Sequence, residues 1–225
     1  MNLLVWTVLL SGLDLDIPRE AERKSIVVEA RSPAELDRLE RELTPTLQTG
    51  TLLFSRGKSL TVKVISGSSY THVAAVVVDQ AGVNVYDAMR KVGVRCLSLR
   101  NHLISQEGDQ IEVCQPRHRL SDEQAIVFRA TLTRQIGRPY AVFHHITGYR
   151  CDGVHCSEYV TDALSEAQIV TAERPPRVTP ASLRDSVLGY ELYSAETTVR
   201  YSAPIEPDSG SFLTRWRSSM GCGSK

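Results

Sequence analysis

Val154–Leu164 reads VHCSEYVTDAL, and it sets one cysteine, Cys156, at the expected first turn of an amphipathic helix whose inward stripe is Val160, Ala163 and Leu164. A helix N-terminus carries roughly half a positive charge and several unpaired backbone N–H groups, which together stabilise an anion. A thiolate is such an anion, and at such positions a cysteine pKa falls by up to several units from the free value of about 8.5. The same N–H groups can hold an oxyanion formed later. Cysteine is also a common buried filler. The choice between the two readings rests on whether the rest of the chain supplies the thiol's chemical partners.

Working outward, the nearest partner is a histidine. His72–Val78, HVAAVVV, is apolar on both faces apart from His72, as expected of a central strand covered on both sides. Asp79–Gly82 is a turn, and Val83–Asp87, VNVYD, returns beside it. If Val78 lies opposite Val83, Ala74 lies opposite Asp87, and His72 becomes the diagonal neighbour of Asp87 on the same face. A carboxylate beside an imidazole fixes its tautomer and stabilises its protonated form. A structural acid–histidine pair gives the same pattern, so the pair gains meaning only beside Cys156.

The remaining elements follow from capping and alternation. Ser25–Ala30 is a short strand, and Ser32 with Glu35 is a capping box opening a helix over about 33–43. Residues 1–44 are expected to be an N-terminal extension packed on a main domain of residues 45–203, with 204–225 a flexible tail. Lys58–Ile65 suits a strand or a short helix equally. Strands are expected over Val92–Leu99 and Gln110–Gln115, carrying Cys96 and Cys114, and a helix over about 122–135 behind the box Ser121/Gln124. Residues 100–110 and 141–153 read as loops, and Thr179–Leu183 as a short capped helix before a strand in Tyr190–Tyr201.

Composition bounds the function. The 225 residues are 42% apolar and 23% charged, enough for one substantial core. Lys plus Arg and Asp plus Glu both total 26, so no net field favours a nucleic acid, and no nucleic-acid partner is expected. Five cysteines without dense spacing are more easily read as thiols of a reducing compartment than as a disulfide framework. The apolar start, MNLLVWTVLLSG, is far too short to span a bilayer; it reads as a first strand, with a weak signal segment as the alternative.

These pieces resemble the papain-like NlpC-type cysteine hydrolases, in the circularly permuted branch typified by YiiX-like proteins and lecithin retinol acyltransferase, in which the histidine strand precedes the cysteine helix. The resemblance is carried by GTLLFSRG, SSYTHVAAVVVD, VYDAM, GRPY, HCSEYVTDAL and TPASL, and spans about residues 48–186. It implies an α+β fold, a mostly antiparallel sheet packed against the cysteine helix. It also implies Cys156 as nucleophile, His72 as base and then acid, Asp87 as the group that orients it, and Tyr140 as an oxyanion donor, a part for which Tyr149 and Tyr70 also compete. Many permuted members have an acid where this chain has Thr51, and the third catalytic position varies among them. The expected chemistry is cleavage of an amide or peptide bond through a thioester, with a peptide, isopeptide or acyl-amide substrate and no cofactor. Alternatives are a thiol acyltransferase or thioesterase on acyl substrates, a catalytically silent binding module, and a zinc site from His144, His145, Cys151, His155 and Cys156, whose spacings match no common zinc motif.

Overall fold

The hairpin around Asp79–Gly82 forms as its alternation requires. Strands β3 (Tyr70–Asp79) and β4 (Gly82–Met89) are antiparallel, with Val78 opposite Val83. They belong to a computed structural model that describes residues 24–29, 32–57, 68–106, 108–142 and 147–202. The readings made for residues 1–12, 58–65, 143–146 and 204–225 lie outside the described residues.

Five further strands complete a seven-stranded sheet: β1 (Lys24–Val28), β2 (Leu52–Arg56), β5 (Gly93–Ser98), β6 (Gln110–Pro116) and β7 (Tyr193–Tyr201), in the order β1-β7-β6-β2-β3-β4-β5. All neighbours are antiparallel except β1 and β7. Along β3 the side chains alternate between two cores. Val73, Ala75 and Val77 join Phe54, Phe128, Tyr159 and Leu164 on one face, while Ala74 and Val76 join Leu39, Leu53, Leu99 and Leu103 on the other. Burying each such side chain stabilises the fold by about 1.5–3 kcal/mol before chain entropy is counted.

The five helices among the described residues divide between these faces. α1 (Pro33–Leu43) and α2 (Leu99–Ser105) cover one; α3 (Asp122–Thr133), α4 (Cys156–Glu166) and α5 (Pro180–Gly189) cover the other. Residues 24–43 therefore contribute an edge strand and, through Leu36, Leu39 and Leu43, part of the second core. No helix among the described residues is long and apolar enough to cross a membrane.

Two local expectations need correction. The segment 100–110, read as a loop, begins with α2, which Ser98 caps by accepting from the Asn101 N–H. Leu99, His102 and Leu103 supply the i, i+3, i+4 stripe, but over only seven residues, too few for periodicity to stand out. The capping box at Ser32 is half formed: Ser32 accepts from Glu35 N–H, whereas the Glu35 carboxylate turns to Arg38 one turn on. α4 buries its inward stripe Val160, Ala163 and Leu164 as expected and Cys156–Thr161 as well, while Asp162, Ser165 and Glu166 reach the surface. α3 and the segment before α5 cover part of its outer side.

Candidate active site

Cys156 is the first residue of α4, and an unusual cap holds it there. The residue before it, His155, takes the N-cap position: its Nδ1 accepts from the Glu158 N–H at 3.3 Å, and its Nε2–H donates to the Pro176 carbonyl at 2.9 Å. His155 is thereby fixed as the Nε2–H tautomer. The Ser157 hydroxyl ties the same turn to the Val178 carbonyl at 2.7 Å. The first turn of α4 is therefore built into the segment leading to α5, and its N-terminus is held against the sheet.

The segment GRPY reaches Cys156 from the other side. Tyr140 forms a parallel bridge with Val154, through Val154 N–H to Pro139 O at 2.9 Å and Ala141 N–H to Val154 O at 3.2 Å. Arg138 spans the loop before the cysteine, donating to the carbonyls of Cys151, Asp152 and Gly153 at 3.1–3.4 Å. The Arg138 carbonyl in turn accepts from Val94 N–H at 2.9 Å. Only glycine fits beside it: Gly93 has φ +88°, and a Cβ there would lie 2.3 Å from that carbonyl oxygen.

His72 lies between the two layers. β2 and β3 pair Ser55 with His72 but Arg56 with Tyr70, so Thr71 is an extra residue in the ladder. Such a bulge re-aims the side chain next to it. His72 Nε2 lies 3.3 Å from Asp87 Oδ2, and the Cys156 side chain is near enough to its ring to help raise its pKa. With Nε2 on the carboxylate, Nδ1 is the nitrogen left for sulfur. Burial alone would lower the basicity of His72, but Asp87 and then Cys156 outweigh it and raise its pKa to about 10.

Asp87 is fully buried and surrounded by donors. Arg95 grips it with Nε on Oδ1 at 2.7 Å and Nη2 on Oδ2 at 3.1 Å, and His102 Nδ1 is 3.6 Å from Oδ2. Burial opposes the charge, yet the hydrogen bonds from His102, His72 and Arg95 hold its carboxyl well below the usual carboxylate range. Burial pushes His102 the other way, toward the neutral imidazole. Sequence reading missed Arg95 and His102. Arg95 is directly opposite Asp87 in the β4–β5 ladder, so extending the alternation by one strand would have found it.

Tyr140 is half-buried, and burial followed by the nearby Cys156 sulfur raises its pKa, keeping its hydroxyl a donor; Arg90 opposes this weakly. The competing tyrosines are placed otherwise: Tyr149 is 81% exposed, and Tyr70 donates to Glu112 at 2.5 Å. Thr51, the departure noted at the opening of the domain, is buried and its hydroxyl caps the turn at Gln48. Of the residues that suggested zinc, His155 has both nitrogens engaged as described, and His144 and His145 lie outside the described residues. Among the described residues no three His, Cys, Asp or Glu side chains converge as a metal site would require.

No curated protein matches the chain. Among solved structures, a similar one is described as metalloprotein yiiX from Escherichia coli O157:H7; it is 21% identical, with 68% of this chain and 88% of that one covered and a TM-score of 0.47. The sequence pattern of the permuted papain-like amidases, the YaeF/YiiX or C92 family, matches residues 46–198, a span that takes in Cys156, His72, Asp87 and Tyr140, and the chain belongs to that family.

Proposed function

We propose that the protein is a cysteine-dependent amidase in which Cys156, His72 and Asp87 act as one unit. The observation that carries this reading is His72, hydrogen-bonded to the buried Asp87 carboxylate and close to Cys156 at a helix N-terminus. His72 takes the Cys156 thiol proton, and the sulfur attacks an amide carbonyl carbon; a C–S bond forms and the carbonyl electron pair moves to oxygen. In this reading the Cys156 backbone N–H and the Tyr140 hydroxyl donate to that oxyanion. As the carbonyl re-forms, the C–N bond breaks and protonated His72 gives its proton to the leaving amine. Water then attacks the thioester, His72 takes its proton, the C–S bond breaks and a carboxylic acid leaves. Asp87 holds His72 in one tautomer throughout.

The first test is the rate of iodoacetamide alkylation of each cysteine between pH 5 and 9, read by peptide mass spectrometry in wild type and His72→Ala. Rapid labelling of Cys156 below pH 7 that is lost without His72 supports the reading. Cys156 labelling no faster than that of Cys222 would move the protein to the binding-module reading. Once an amide substrate is in hand, Cys156→Ala and His72→Ala should abolish turnover, and Asp87→Ala should only reduce it. A fully active Cys156→Ala protein would sink the mechanism.

A further inference from the structure

Beneath His72, on the face covered by α1 and α2, a polar cluster is buried in an otherwise apolar layer. Asp87 and His102 are fully buried, Ser55 is 2% exposed, Gln106 3% and Arg95 9%. These side chains come from four elements or their ends, and their bonds converge on Asp87. Arg95 comes from the neighbouring strand β5 and binds both carboxylate oxygens. Its Nη2 also donates to the Ser105 hydroxyl at 3.1 Å, and that hydroxyl donates to the His102 carbonyl at 2.9 Å. Gln106 joins Ser55 at 2.8 Å and His102 Nδ1 at 3.4 Å.

Two features separate this cluster from an ordinary structural ion pair. A carboxylate accepts about four hydrogen bonds, and Asp87 meets Arg95 twice, His102 once and His72 once. One of these four donors is the proposed catalytic imidazole, and the others fix the rotation of the carboxylate that faces it. Second, burying charges costs free energy that a well-packed apolar cluster would not. His102 Nε2 has no partner among the described residues. His102 Nδ1 faces both Asp87 Oδ2 at 3.6 Å and the Gln106 amide at 3.4 Å.

We propose that Arg95 is a positioning residue: its fork, backed by His102, locks the Asp87 carboxylate in the rotation and charge state that hold His72 against Cys156. The inference rests on the catalytic reading of Cys156, His72 and Asp87. In this scheme Arg95 acts on His72 through Asp87.

The test is a double-mutant cycle read by the iodoacetamide rate of Cys156 at pH 6.5, which requires no substrate. Asp87→Asn should slow labelling by roughly 10- to 100-fold, and Arg95→Met should slow it to a similar degree. In the Asp87→Asn background Arg95→Met should add less than about 2-fold, because residues acting through one another are not additive. Arg95→Lys should restore part of the rate, since it returns the charge without the two-pronged geometry. The imidazole nitrogen shifts of His72 should change alike in Arg95→Met and Asp87→Asn. Losses that multiply in the double variant, or an Arg95→Met protein labelled at the wild-type rate, would overturn the assignment of Arg95. If Arg95→Met does not fold, Arg95→Lys and the double variant, which neutralises both halves of the pair, carry the same comparison. Loss of labelling in His72→Ala with none in Arg95→Met removes only this inference; no loss in His72→Ala removes the catalytic reading itself.

Discussion

At the scale of single residues, Tyr140 and His72 differ in what their chemistry demands. Tyr140 is kept protonated by burial and by the sulfur beside it, so in the proposed scheme it offers a hydroxyl to a charge that exists only after attack. Tyr140→Phe should therefore lower turnover by about 10²–10³-fold, the usual effect of deleting one oxyanion donor, while leaving iodoacetamide labelling of Cys156 unchanged. A fall in labelling would mean that the ring supports the fold around the cysteine instead. The Tyr140 reading came from the sequence only as one of three tyrosines. What separates them is tertiary: the bridge to Val154 brings Tyr140 close to Cys156, Tyr70 is committed to Glu112, and Tyr149 faces solvent.

At the scale of elements, α4 depends on a cap that its own sequence does not announce. Ser, Thr, Asp and Asn are the usual N-cap residues, and His155 takes that place because its second nitrogen reaches the Pro176 carbonyl 21 residues on. His155→Ala removes an acceptor for the Glu158 N–H and leaves a carbonyl without its donor, which should cost about 1–3 kcal/mol in urea unfolding. His155→Asn should recover part of the loss by restoring the cap without the Pro176 bond. Equal stability of all three proteins would show that the cap is dispensable. Where caps follow the common chemistry, the sequence was legible: Ser121 with Gln124 forms a complete box, and Thr179 opens α5 with Pro180 in its first turn. α2 was not legible, and the two residues missed at the site, Arg95 and His102, lie on either side of its start.

For the whole molecule, the buried charges make stability depend on pH in opposite directions. His72 holds its proton more tightly folded than unfolded, with its pKa raised to about 10. Its stabilising contribution is complete below the unfolded value of about 6.5 and is lost as pH rises through 10. Glu158, raised to about 7 chiefly by burial and then by Asp162, also favours its protonated form, so its contribution is complete below about 4.5 and lost as pH rises through 7. Asp87 is lowered, so its contribution is present above about 3.9 and lost as pH falls through the folded value. In thermal unfolding, wild type should lose stability relative to His72→Gln between pH 6.5 and 10, and relative to Glu158→Gln between pH 4.5 and 7. Parallel profiles for either pair would show that the group titrates alike folded and unfolded.

The sequence by itself determined the elements and the ends of the proposed chemistry. A helix opening at Cys156, a doubly buried strand at His72 and a hairpin whose turn sets the register with Asp87 are local patterns, fixed by periodicity and turn chemistry along one stretch of chain. Only the tertiary structure decided which partners meet. Alternation says which face of a strand a side chain takes, but a bulge such as that at Thr71 can turn it. Neither pattern says which distant helix covers that face. Arg95, His102 and the Pro176 carbonyl enter through such coverings, across three strands, the short α2 and a loop beyond α4. Their contributions are hydrogen bonds to buried groups, which exist only once the layers close.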